Sequence, residues 1–130
     1  MPELLVLLVD DEAMLTLVLE DALRDAGYAV QVAHDGDTAI AQLEADPGRF
    51  QAVVTDIRMP GRQSGWAVGH RARALQPTMP VVYMSGDQAS DWASQGVPDS
   101  IMLQKPFAMA QVVTAVSQLC NAASSRPGLP

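Results

Sequence analysis

The chain has 130 residues, 48% of them hydrophobic and 18% charged, which is the size and composition of one folded domain built on one core and not of a disordered segment. Fifteen acidic against eight basic side chains leave a formal net charge of -7, which repels nucleic-acid phosphates and anionic lipid and argues against direct DNA or membrane-surface binding. A lone Cys120 excludes an internal disulfide, and the apolar run Leu4 to Val9 is too short to span a bilayer and lacks signal-peptide flanks, so the reading is a cytoplasmic protein.

In chain order, Leu4 to Val9 predicts a first strand. Leu15, Val18, Leu19, Ala22 and Ala26 then recur at helical spacing, opposite Glu20, Asp21, Arg24 and Asp25, and predict a first helix with those apolar residues inward and Gly27 capping its end. The alternating run Tyr28 to Ala33 reads as a second strand. Asp35 or Asp37 can cap a second helix that carries Ala39, Ile40 and Leu43 and stops at Pro47 and Gly48. Ala52 to Thr55 is the third strand, followed by a helix over Trp66 to Gln76 ended by Pro77. Val81 to Met84 is the fourth strand, Gln88 to Gln95 a short helix closed by Gly96, and Ile101 to Leu103 the fifth strand. Met109 to Cys120 is the last helix, with Val112, Val113, Val116 and Leu119 spaced for a core face and Cys120 as a half-buried thiol.

The first, third and fourth strands are nearly continuous in apolar residues, the pattern of strands covered on both faces. Strands alternating with helices imply right-handed crossovers, hence an α/β fold: a five-stranded parallel sheet with five helices, doubly wound as (βα)5. Residues 1–120 form the domain. Residues 121–130, rich in Ser, Pro and Gly, read as a tail or the start of a linker.

Open parallel sheets bind ligands outside the carboxyl ends of their strands. That edge collects Asp10-Asp11-Glu12 after the first strand, Asp56 after the third, Ser85-Gly86-Asp87 after the fourth and Lys105-Pro106 after the fifth. Taken singly, each has an ordinary explanation: Asp10 and Asp11 as helix caps, Ser85 and Asp56 as turn formers, Lys105 as a solvated charge. The full set at one edge has none. Three neighbouring carboxylates repel one another unless a cation sits among them, and hard oxygen ligands suit Mg²⁺. With Mg²⁺ and one lysine the formal charges nearly cancel, and a carboxylate so neutralised is a competent nucleophile toward phosphorus. Asp56 is the candidate nucleophile.

The ordered set Asp10-Asp11, Asp56-Ile57-Arg58-Met59-Pro60-Gly61, Ser85-Gly86 and Lys105-Pro106-Phe107 resembles the receiver (CheY-like) domain of two-component response regulators, over Leu4 to about Leu119. The resemblance implies a signalling switch whose only chemistry is phosphorylation and dephosphorylation of its own aspartate. By it, Asp56 is the phosphoacceptor, Asp11 and Asp56 bind Mg²⁺, Asp10 binds it mainly through water, and the backbone carbonyl of Arg58 completes the protein ligands. Ser85 bonds a phosphoryl oxygen, Lys105 pairs with the phosphate, and the Lys105-Pro106 bond is cis. The implied partners are a sensor histidine kinase or histidine phosphotransfer protein as donor and a downstream target protein, with a homodimer compatible with both. The face made by the fourth helix, fifth strand and fifth helix carries the output. Arg58 and Asp87, two residues beyond the acceptor and the hydroxyl, are expected to pair at the mouth of the site.

Two departures stand out against the family pattern. Gly65 lies one residue further from Asp56 than usual, so the loop through Arg62-Gln63-Ser64 is lengthened, and Met102 occupies the place of the usual switch aromatic. A haloacid dehalogenase phosphatase needs a second Asp where Arg58 stands, and a flavodoxin needs a hydroxyl-rich phosphate loop where Asp10-Asp11-Glu12 stands. No GxxxxGKS loop is present. The remaining alternative is a pseudo-receiver that docks partners without phosphorylation.

Overall fold

The computed structural model describes residues 4–86 and 89–125. Within them the chain alternates β1 (Leu5–Val9), α1 (Ala13–Asp25), β2 (Ala29–Ala33), α2 (Gly36–Ala45), β3 (Ala52–Asp56), α3 (Gly65–Leu75), β4 (Val81–Ser85), a 3-10 turn (Ala89–Asp91) continued by α4 (Trp92–Gln95), β5 (Ile101–Gln104) and α5 (Met109–Ser125). The five strands form one parallel sheet in the order β2-β1-β3-β4-β5. Strand order reverses between β1 and β3, so the carboxyl ends of these two central strands flank the crevice where a doubly wound sheet binds ligands.

One core was expected, and the sheet divides it into two. Side chains of successive strand residues point to opposite faces. Leu7, Val9, Val53, Val81 and Tyr83 therefore pack with Ala39 and Leu43 of α2 and Val68 and Ala72 of α3. Val6, Leu8, Val54, Val82 and Met84 pack on the other face with Leu19 and Leu23 of α1 and Val112, Ala115 and Val116 of α5. β1, β3 and β4 are buried almost throughout, as their continuous apolar character predicts, whereas β2 and β5 are edge strands with partial exposure.

The first helix differs from its prediction. Its buried residues are Thr16, Leu19 and Leu23, with Leu15 partly buried, while Val18 is 47% exposed and Ala26 is also solvent-facing. Almost every position from Met14 to Leu19 is apolar, so periodicity alone does not select the inward stripe, and contact with the sheet does. The buried Thr16 hydroxyl is satisfied by donating to the Ala13 carbonyl (2.8 Å). Gly27 ends the helix with φ +100°, a conformation that costs glycine little.

Elsewhere boundaries shift by small steps. Asp35, not Asp37, caps α2 by accepting from Thr38 N–H (2.6 Å), a bond that also lowers the Asp35 pKa. Ser64 caps α3 by accepting from Ala67 N–H, so the helix starts at Gly65. The predicted fourth helix contracts to the 3-10 turn and the single turn of α4, and its Gln88 lies outside the described residues. α5 runs on to Ser125, five residues beyond the predicted end, while residues 126–130 lie outside the described residues. Ser, Asn and Ala at 121–125 are tolerated in a helix already nucleated by its packed upstream turns. Cys120 is half-buried with its thiol pKa pushed up by burial, as befits a packing residue.

Candidate functional site

The predicted residues meet at the carboxyl edge of the sheet. Asp10 follows β1 directly and is completely buried; its neighbour Asp11 is exposed. Asp56 is the last residue of β3 and Ser85 the last of β4, both buried. Lys105 follows β5, held there by its own N–H donating to the Ser85 carbonyl (2.7 Å), and the Lys105-Pro106 peptide is cis. Carboxylate oxygens of Asp10, Asp11 and Asp56 all lie within 4.8 Å of one another.

Backbone groups orient the two buried acids. Ile57 N–H donates to Asp56 Oδ1 (2.9 Å), which leaves Oδ2 facing Lys105 Nζ at 3.4 Å. Glu12 N–H donates to Asp10 Oδ1 (2.8 Å), so the capping explanation accounts for one oxygen of Asp10. Its Oδ2 is buried without a hydrogen-bond partner. Nor does Glu12, at the N-cap of α1, make a side-chain cap bond. Helix capping therefore does not explain the acidic run.

Burial dominates the electrostatics. It pushes the Asp10 carboxyl up to about 6, with the nearby Asp56 and Asp11 charges adding to the rise and Lys105 opposing it. Asp56 is raised for the same first reason, against the pull of Lys105 and of the Ile57 N–H. A buried carboxylate with an orphan oxygen, in a cluster of three acids, is a site that a bound cation completes, since an unpaired buried charge is strongly unfavourable. The donor set is all oxygen, which suits a hard divalent ion such as Mg²⁺ or Ca²⁺ better than zinc or copper.

Arg58 is exposed, and its expected partner Asp87 lies outside the described residues. Met102 is partly buried on β5 in register with Tyr83, against the α2 and α3 face of the core. The residues around the site that sequence reading passed over are Gly36 and Asp37 at the start of α2, which touch the loop after Asp56. In the sequence Asp37 reads only as a possible cap, because the approach of two loops from different βα units has no local signature.

A model of the response regulator receiver domain matches residues 6–117. The C4-dicarboxylate transport transcriptional regulatory protein DctD of Rhizobium meliloti is 33% identical over 110 residues, which are 83% of this chain and 23% of that protein. The response regulator receiver protein CpdR of Brucella abortus is 29% identical over 120 residues, 91% of this chain and 98% of that one. The chain thus spans under a quarter of one relative and nearly the whole of the other. Among solved structures, a response regulator receiver protein from Sinorhizobium medicae superposes with TM-score 0.90 at 50% identity, covering 93% of this chain and 97% of that one. The receiver domain of sensor histidine kinase PA1611 from Pseudomonas aeruginosa, solved with a magnesium ion coordinated in its active-site cleft, has TM-score 0.78 at 23% identity, over 92% and 99% of the two chains.

Proposed function

Because the chain belongs to the response regulator receiver domains, we propose that it is a phosphorylation switch in which Asp56 is the phosphoacceptor, with Mg²⁺ held by Asp11, Asp56 and the Arg58 carbonyl directly and by Asp10 mainly through water. The observation that carries the reading is the buried, unpartnered Oδ2 of Asp10 beside the Asp56 carboxylate that faces Lys105. The magnesium ion in the PA1611 receiver supports the choice of metal. A pseudo-receiver that needs no phosphorylation finds no support, since acid cluster, hydroxyl and lysine are all in place.

In the transfer, an oxygen of Asp56 attacks the phosphorus of a donor phosphohistidine. A new P–O bond forms, the P–N bond breaks, and the imidazole nitrogen leaves with the bonding pair. Asp10, Asp11 and Asp56 would hold Mg²⁺ beside the incoming group, where the ion would supply neutralisation of charge on the phosphoryl oxygens. Lys105 donates to a phosphoryl oxygen, and Ser85 supplies a hydroxyl to another. A donor must seat its imidazole beside Asp56, and Met14, Leu17 and Val18, exposed on the first turns of α1 that start at the same edge, give it apolar surface to rest on. The donor is a sensor histidine kinase or histidine phosphotransfer protein acting in the cytoplasm, and the output is a contact with a target protein.

The test is intact-mass measurement after incubation with acetyl phosphate and Mg²⁺. Wild type gains one phosphoryl group, Asp56→Asn does not, and chelation abolishes the gain. Equal gain by both proteins would overturn the assignment of Asp56.

A further inference from the structure

The loop that leaves Asp56 for α3 is pinned at two points by glycines that leave no room for a side chain. At its far end Gly65 donates its N–H to the Ile57 carbonyl (2.8 Å), and a Cβ on Gly65 would lie 1.9 Å from the backbone oxygen of Asp56 itself. Two residues earlier, at Gln63, the loop crosses the first residue of α2. A Cβ on Gly36 would lie 2.3 Å from the Gln63 carbonyl oxygen and 2.9 Å from its carbon. Both collisions are with backbone, which cannot rotate away as a side-chain tip can.

Beside Gly36, the exposed Asp37 reaches the same loop. Its Oδ2 accepts from Arg62 N–H at 3.4 Å and stands 3.2 Å from the Cβ position of Gly61, whose φ of +99° requires glycine. Asp35 already caps the helix, so Asp37 is not needed there. The two α2 residues thus touch Gly61, Arg62 and Gln63, which overlap the Arg62-Gln63-Ser64 stretch that the sequence pattern marks as lengthened.

From this contact we infer that Gly36 and Asp37 are positioning residues: the start of α2 braces the lengthened loop and thereby sets the Arg58 carbonyl, its metal ligand, relative to Asp10 and Asp11. The inference rests on the proposed Mg²⁺ site. Its physical basis is that a backbone ligand has no side-chain torsion to correct its aim. Ile57, just before Arg58, is tied to Met84 and Gly65 by backbone hydrogen bonds, and the rest of the eight-residue connection rests on the start of α2 at Gly61, Arg62 and Gln63. The bond at 3.4 Å is long, so the backbone seat on Gly36 carries more of the brace than Asp37 does.

Mg²⁺ titration followed by the fluorescence of Trp66, which adjoins Gly65, tests the idea without any phosphodonor. Gly36→Ala is expected to weaken Mg²⁺ binding about tenfold, and Asp37→Ala by a smaller but measurable factor, with Asp37→Asn close to wild type because its amide oxygen still accepts. Urea unfolding without metal accompanies each titration, and the Asp37 variants are expected to keep the wild-type midpoint because the side chain is exposed. Should Gly36→Ala fail to fold, the Asp37 pair decides. Wild-type affinity in Asp37→Ala overturns the inference for Asp37, and wild-type affinity in a folded Gly36→Ala overturns the brace. Equal weakening in Asp37→Asn and Asp37→Ala overturns positioning in favour of plain charge. If wild type itself binds no Mg²⁺, the failure lies in the proposed metal site and not in the brace.

Discussion

The phenolic oxygen of Tyr83 sits over Gly69 of α3, 2.1 Å from where a Cβ on that glycine would be, and accepts the Val97 N–H at 3.2 Å. Tyr83 is fully buried, its ring 4.8 Å from that of Trp66, and burial pushes its pKa up. One side chain of β4 thereby holds the connection that leads from α4 to β5. Gly69→Ala should cost about 2 kcal/mol by overpacking, and Tyr83→Phe about 1–3 kcal/mol by leaving the Val97 N–H unsatisfied. The double variant should be less destabilised than the sum, because removing the hydroxyl relieves the clash. Urea midpoints at unchanged slope measure all three, and strict additivity would count against the contact.

Lys105 approaches Asp56 to 3.4 Å, too far for a tight ion pair, and in the proposed switch its charge serves the incoming phosphoryl group. Lys105→Met should slow phosphorylation by acetyl phosphate about a hundredfold while Mg²⁺ binding holds or tightens, since a competing cation is gone. Loss of both in proportion would make the lysine a structural part of the metal site.

The raised pKa of Asp10 has two consequences of opposite practical sign. In metal-free protein the folded chain keeps a proton on Asp10 up to about pH 6, which the unfolded chain releases near the ordinary 3.8. The folded state binds more protons in that window, so this group makes stability fall as pH rises through it. Mg²⁺ needs the carboxylate, so its affinity should fall below about pH 6 and level off above it. Calorimetric titrations at pH 5 and pH 7.5 should show weaker binding and greater proton release at the lower pH. Equal affinity at both would mean that Asp10 does not contribute to the site.

Trp92 is the natural reporter of the expected output face of α4, β5 and α5. It is 39% exposed, donates its indole N–H to Ser100 Oγ (2.8 Å), and lies so close to Gly96 that a Cβ there would meet the ring at 2.4 Å. Its helix has a single turn, so few internal hydrogen bonds resist rearrangement. With Met102 in place of an aromatic ring, movement of Ser85 should be felt mainly along the β4–α4 connection. Beryllofluoride with Mg²⁺ should change Trp92 emission, and Ser85→Ala should blunt the change. A response confined to Trp66 would move the output to α3.

Much of the chain was legible because local chemistry repeats. Short apolar runs marked five strands, helical spacing with cap and stop residues marked the helices between and after them, and the acids, serine and lysine stood where strands end, the edge at which this architecture builds sites. Asp10, Asp11, Asp56, Ser85 and Lys105 were read without coordinates because each is fixed by its own strand. What required the tertiary structure is whatever depends on two distant segments meeting. The stripe of α1 that faces inward was chosen by the sheet, Val18 losing to Thr16 and Leu23 in a helix too uniformly apolar to choose for itself. The orphan oxygen of Asp10 is a consequence of burial, while the seat of Gln63 on Gly36 and the fit of Tyr83 over Gly69 are contacts between residues distant in the chain, and single-residue propensities carry no information about them. A sequence states which groups are available along a line, whereas only the folded chain brings them close enough for sterics and desolvation to act.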